Sequence, residues 1–171
     1  NYQDKFRIKK ININGLSINE KQKIENELVN LKNRNIFKLN KEKILENLKK
    51  FNYLENIYVN KVMPSSIILD ISKTSILGKT SRNGELFYIG KNRKLINSNQ
   101  ISELNDISSV FGDFKISEYL NLLTILKKHQ LDLKKIESFF YFKNKRWDIL
   151  FTNGVTLMLP SKTLEESIII Y

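Results

Sequence analysis

A chain of 171 residues, 41% hydrophobic and 27% charged, has the balance of a globular protein of one medium domain or two small ones, not of a disordered segment. Its formal charge of +11 raises nucleic acid or an anionic surface as partners, but lysine supplies most of it, spread from Lys5 to Lys162, and arginine, the better reader of bases and phosphates, is scarce. The absence of cysteine excludes disulfides and thiolate metal sites, and no run approaches the roughly 20 apolar residues that span a bilayer.

In chain order, Phe6 to Ile13 is rich in β-branched residues and closes at Asn14-Gly15, the pattern of a strand and a turn. Its apolar phase slips between Ile8 and Ile11, which predicts a bulge or an edge irregularity. Ile24, Leu28 and Leu31 fall on one helical face, with Ser17 or Asn19 as cap and Glu20 near the positive end of the dipole. Asn40 opens a second helix with the stripe Ile44, Leu45, Leu48 and Phe51, and with Lys49 and Lys50 in its last turn. Two strands follow. In the first, Ile57 and Val59 alternate with Tyr58 and Asn60; in the second, Ile67, Leu69 and Ile71 alternate with Ile68 and Asp70.

The remainder is mostly strand. Ser75 to Thr80, Glu85 to Ile89 and Arg93 to Ile96 are short runs broken by Asn83-Gly84 and by Gly90-Lys91-Asn92, and a polar stretch links Asn97 to Ile107. One helix stands out, capped by Ser117, with Tyr119, Leu122, Leu123, Leu126 and Gln130 along one face. Three strands close the reading: Lys135 to Phe142, Trp147 to Phe151 and Val155 to Leu159. Asn153-Gly154 between the last two predicts a hairpin with positive φ at both turn positions. The fold class is therefore α+β: a β-α-α-β-β domain over 1–72, then a mostly antiparallel β-domain with one or two helices over 73–171, incomplete at its C-terminal end.

Catalytic patterns are missing. His129 is the single histidine, and at a helix end it reads as a surface residue near the negative end of the dipole. There is no phosphate loop, no nucleophile elbow and no pair of histidines for a metal. Glu165-Glu166, and Glu103 with Asp106, read as solvated acidic clusters. Phe139-Phe140-Tyr141-Phe142 alternates on a strand, so half of it is core, and the adjacent Lys143-Asn144-Lys145-Arg146 reads as a charged hairpin tip. The sequence predicts no enzyme, no cofactor and no small-molecule substrate.

Three stretches carry a resemblance: Phe6-x-Ile8-x-x-Ile11-x-Ile13-x-Gly15, then Ile57-Tyr58-Val59-Asn60-Lys61-Val62-Met63-Pro64, then the hairpin Arg146-Trp147-Asp148-Ile149-Leu150-Phe151-Thr152-Asn153-Gly154 with Leu159-Pro160. In this order they resemble the bacterial FtsQ/DivIB cell-division family, a POTRA domain followed by a β-domain, over about Phe6 to Leu164. Val110-Phe111-Gly112 is similar to the family's loop glycine. The chain departs from the family pattern in Ser72 to Leu77, which lacks the Glu and Pro that begin the family's β-domain, and in Gly90-Lys91-Asn92-Arg93, which replaces a D-x-x-G turn.

The resemblance implies a single-pass inner-membrane protein whose periplasmic part is this chain, truncated at both ends. It begins without Met and ends in the apolar run Ser167 to Tyr171, so a transmembrane helix before it and a strand after it are expected. It implies a non-enzymatic divisome scaffold that binds FtsB and FtsL, with FtsB added as a strand to the last strand of the intact protein. It maps a recruitment surface onto Asn56, Tyr58, Val59 and Lys61, with Val59 foremost unless it is core. It also maps a region supporting the FtsB contact onto Lys162, where the family more often has Arg. Two rival readings remain: a POTRA module of an outer-membrane assembly or secretion protein, and a basic nucleic-acid-binding protein.

Overall fold

The computed structural model describes residues 2–102 and 104–160, with the backbone alone for residues 2 and 3. The chain divides into two compact units after Thr74. The Lys162 position, the Glu165-Glu166 pair, Glu103 and the expected C-terminal helix lie outside the described residues.

The first unit runs β1 (Lys10–Asn14), α1 (Ile18–Leu28), α2 (Lys41–Leu48), β2 (Leu54–Val62) and β3 (Ser66–Lys73). The sheet order is β1-β3-β2, with β1 parallel and β2 antiparallel to β3. Ile67, Leu69 and Ile71 of β3 and Val59 of β2 are buried with Ile24 and Leu28 of α1 and Ile44 and Leu48 of α2. Leu45 and Phe51, assigned to the α2 stripe, are not in that core: Leu45 is exposed and Phe51 lies past the helix end.

The phase slip near Ile8 is an irregularity at the edge strand rather than a bulge. Tyr2–Phe6 is a 3-10 turn, and Ile8 pairs with the loop after α1, its N–H donating to the Arg34 carbonyl and its carbonyl accepting from Asn33, both at 2.9 Å. The segment then changes partner, and Lys9 and Lys10 both donate to the Ser65 carbonyl as β1 begins. Gly15 ends β1 at φ +86, where a Cβ would stand 1.8 Å from the Ile71 carbonyl oxygen. Glycine is required there by space as well as by backbone.

The second unit contains α3 (Ile116–Lys128) and the strands β4 (Ile76–Arg82), β5 (Glu85–Gly90), β6 (Leu95–Asn97), β7 (Ser109–Phe111), β8 (Ile136–Tyr141), β9 (Trp147–Phe151) and β10 (Thr156–Leu159). They form one sheet in the order β10-β9-β8-β7-β4-β5-β6. Pairing is antiparallel except where β7 joins β8 and β4, so the sheet is mostly antiparallel, as expected. Tyr119, Leu122, Leu123 and Leu126 of α3 are buried with Phe139, Trp147, Ile149, Leu157 and Leu159. The Tyr119 hydroxyl donates to the Leu77 carbonyl at 2.8 Å.

Several local expectations are corrected. Lys115, not Ser117, precedes α3, and because lysine offers no short acceptor the Glu118 carboxylate takes the Lys115 N–H at 3.1 Å. Gln130 leaves the helical face, at φ +59 and exposed, because α3 has ended two residues earlier. The turn with two positive φ values is Asn83-Gly84, which closes β4 onto β5. At Asn153-Gly154 only Gly154 is left-handed. Its N–H bonds the Phe151 carbonyl while Phe151 N–H bonds Val155, which makes a three-residue loop with one left-handed position. The same loop recurs with Arg93 and with Lys145 at the left-handed position. β7 was not expected as a strand.

Candidate partner-binding surface

Strand alternation sorts the residues of β2 onto two faces. Asn56, Tyr58 and Asn60 lie on the face away from the helices, and Val59 and Lys61 lie on the other. Tyr58 is 65% exposed, whereas Val59 is 6% exposed and contributes to the core. Asn56 and Lys61 are both exposed. The four sequence-selected residues therefore do not form one patch: Asn56 and Tyr58 belong together, Lys61 stands on the opposite side, and a partner can reach Val59 through its backbone only.

The open face is organised around Asp70, which sits opposite Tyr58 on β3 and beside Asn14 on β1. Asp70 accepts from the Asn14 amide at 2.8 Å and from the Asn60 amide at 3.4 Å, and the Asn56 amide donates to Ser72 Oγ at 3.0 Å. These bonds set a polar ladder beside the exposed Tyr58 ring. The position of Asp70 between Leu69 and Ile71 in the sequence is the signal that this face is polar. Val62 and Met63, at the end of β2, add exposed apolar surface. Among the described residues β2 pairs on one side only, so its other edge offers unpaired backbone N–H and C=O groups.

One charged cluster braces this unit from within. Ser17 caps α1, and Glu20 returns the bond: its carboxylate accepts from the Ser17 N–H and hydroxyl at 2.8 Å, and from Lys73 Nζ at 3.1 and 3.2 Å. Burial opposes ionisation of Glu20, but the Ser17 bonds and the Lys73 ammonium outweigh it and hold the carboxyl below its ordinary pKa. Burial, with the Glu20 charge, pushes the nearby Tyr53 phenol up to about 12. The cluster ties the helix start to the end of β3.

In the second unit, β10 ends the sheet order, and Met158 on it is 61% exposed. Phe139 faces the core, while Phe140 on the opposite face stacks on Phe111 with ring centroids 5.2 Å apart. The basic segment beside them is a hairpin tip, where the Arg146 guanidinium lies over the Phe142 ring and pairs with Asp148 at 2.9 Å. His129 ends α3, its N–H donating to Ile125. Among the described residues no three His, Cys, Asp or Glu side chains gather as a metal site, and no helix is long and apolar enough to cross a membrane.

Residues 6–73 match the family model of the FtsQ-type POTRA domain. The chain is 26% identical over 163 residues to the cell division protein FtsQ of Rickettsia bellii, covering 95% of this chain and 61% of that protein. It is 24% identical over the same length to those of Rickettsia typhi and Rickettsia prowazekii, with the same coverage. The chain thus spans about three-fifths of the length of these curated relatives. The extracytoplasmic domain of the cell division protein DivIB from Geobacillus stearothermophilus aligns with 58% of this chain and 89% of its own length, at 10% identity and a TM-score of 0.38.

Proposed function

We propose that this chain belongs to the FtsQ/DivIB cell-division family and is the periplasmic part of a non-enzymatic divisome scaffold, anchored in the inner membrane by a segment outside it; the match of residues 6–73 to the FtsQ-type POTRA model and the FtsQ relatives support this. Its work is to hold other division proteins in place, FtsB and FtsL among them. The observation that supports this most directly is β2, a strand with one unpaired edge that carries the exposed Asn56 and Tyr58 and leads to the exposed Val62 and Met63. An edge of this kind binds through main-chain pairing, and the side chains along it give selectivity. Lys61 flanks the same edge, and the backbone of Val59 belongs to it. In the second unit β10 ends the described sheet, and the FtsB contact, with Lys162 near it, is assigned to the region that follows.

The test is recruitment and capture by the full-length gene product. Tyr58→Ala with Asn56→Ala should lower septal localisation or divisome co-purification several-fold while the far-UV circular dichroism stays that of the parent. Deleting the region after residue 160 should abolish capture of FtsB and FtsL. Full recruitment by the double variant, or full FtsB capture without the C-terminal region, would remove the corresponding contact from the proposal.

A further inference from the structure

We propose that a basic cleft in the first unit, separate from the β2 edge, docks an acidic peptide segment of a partner protein. The cleft encloses about 530 Å³ between the residue 7–8 segment, the loop after α1 and the start of α2. Four cations line it, Arg7, Arg34, Lys38 and Lys43, and no carboxylate does. Arg7 is committed in part: it pairs with Asp4 at 2.9 Å and donates to the Asn33 carbonyl at 3.0 Å. The Arg34, Lys38 and Lys43 side chains have no bonded partner among the described residues, and all three residues are exposed.

The amides at the cleft share this polarity. Asn35 Oδ1 is occupied by the Phe37 N–H at 2.9 Å, and Asn40 Oδ1 by the Glu42 and Lys43 N–H groups at 2.8 and 3.3 Å. Their NH2 donors remain, so the two side chains add donors to the positive charge, with both acceptor sites of Asn40 Oδ1 and one of Asn35 Oδ1 already taken. The frame is fixed by the bonds from Ile8 to Arg34 and from Asn33 to Ile8, and by the bridge of Arg7 with Asn35.

Two features choose the ligand. First, the chain has only five arginines against 29 cationic residues, and two of the five stand here. A composition that favours lysine does not account for them, and a guanidinium fork suits a carboxylate. Second, Leu31 and Leu39 complete the lining. Cations around a concave, partly apolar floor fit an acidic side chain next to an aliphatic one. A flat anionic bilayer is better met by cations on a convex surface. The inference does not depend on the β2 reading, since the two surfaces share no residue.

The experiment uses the whole chain and a fluorescein-labelled decapeptide of alternating glutamate and leucine, with binding read by anisotropy at low salt. The variant Arg34→Ala/Lys38→Ala/Lys43→Ala should weaken binding about tenfold, the summed effect of three solvent-facing charge contacts. An equal loss of charge at the exposed Lys91, Lys94 and Lys134, each to Ala, should change it less than about twofold. Circular dichroism of both triples should match the parent. Backbone amide shifts on peptide addition should centre on residues 33–43. No binding of the peptide, equal weakening by both triples, or shifts that centre on β2 would overturn the proposal. So would phosphatidylglycerol vesicles that bind through the cleft residues while the peptide does not.

Discussion

Glu20→Gln isolates the charge of the cluster that ties α1 to β3. Glutamine retains an acceptor for the Ser17 N–H but loses the negative charge that takes three donors, from the Ser17 backbone, the Ser17 hydroxyl and Lys73. Hydrogen bonds to a charged group contribute about 1.5–3 kcal/mol against about 0.5–1.5 for neutral ones. The Lys73 side chain is 45% exposed, so its share is discounted to under about 1 kcal/mol. The loss at the Ser17 end and the weakened interaction with the helix dipole give a net cost of about 2 kcal/mol after relief of the buried charge. In a unit of this size that lowers the melting midpoint by roughly 10 °C. Far-UV circular dichroism should show it, whereas the fluorescence of Trp147, the only tryptophan, reports the second unit and serves as the internal comparison. The folded carboxyl ionises more readily than an unfolded one, so its stabilisation is present above the ordinary pKa of 4.5 and is lost as pH falls through the lower folded value. The gap between parent and variant should therefore close in acid. An unchanged midpoint at pH 7, or a gap that widens in acid, would refute the reasoning.

Other substitutions separate space, packing and surface. Gly15→Ala places a Cβ on the Ile71 carbonyl at positive φ and should cost about 3 kcal/mol or more, read as a lowered urea midpoint. Val59→Ala should destabilise by about 2 kcal/mol in the same assay, while Tyr58→Ala stays within about 0.5 kcal/mol, because the two side chains lie on opposite faces. Tyr119→Phe removes the bond to Leu77 and leaves that carbonyl without its donor. It should cost about 1–2 kcal/mol and speed amide exchange in β4 and β7; unchanged exchange there would count against a bracing role.

Where the sequence repeats a period, it was readable. Ile67, Leu69 and Ile71 alternate because one face of β3 is covered, and Ile24 and Leu28 recur because one side of α1 is; Leu31 is buried too, but from the 3-10 turn that follows the helix. β7 is not legible in the sequence because three residues are too few to show an alternation, and its pairing is set by β8 and β4, distant in sequence. Ser117 has the chemistry of a cap, but it lies inside α3, and the bond at the helix start comes from Glu118 one residue later. At Asn153-Gly154 the dipeptide signal was real but the loop is one residue longer, so only glycine needs the left-handed region. The β2 residues are legible as a strand whose alternation parts Val59 from Tyr58; which of the two faces is covered is decided by the helices that pack on it. The basic cleft was invisible for a similar reason: Arg7 and Arg34 meet only because Ile8 pairs with the loop after α1.

β7 also decides how the second sheet carries load. β10, β9 and β8 form one antiparallel half and β4, β5 and β6 the other, and they meet through this three-residue strand. On the β4 side the ladder has a single paired position, Lys79 with Ser109, supplemented by the bond from Lys79 N–H to the Ser108 carbonyl at 3.0 Å. A pull applied across the sheet at β10 therefore meets its fewest backbone rungs at that joint. Side chains also span the joint: Tyr119 of α3 packs on Phe139 and Trp147 of one half and bonds Leu77 of the other, and Arg82 of β4 bonds the carbonyl of Phe114, whose ring packs on Trp147. For a protein proposed to hold others together, tension resistance at this seam rests on side chains as well as on the strands, and Tyr119→Phe probes one of those load paths.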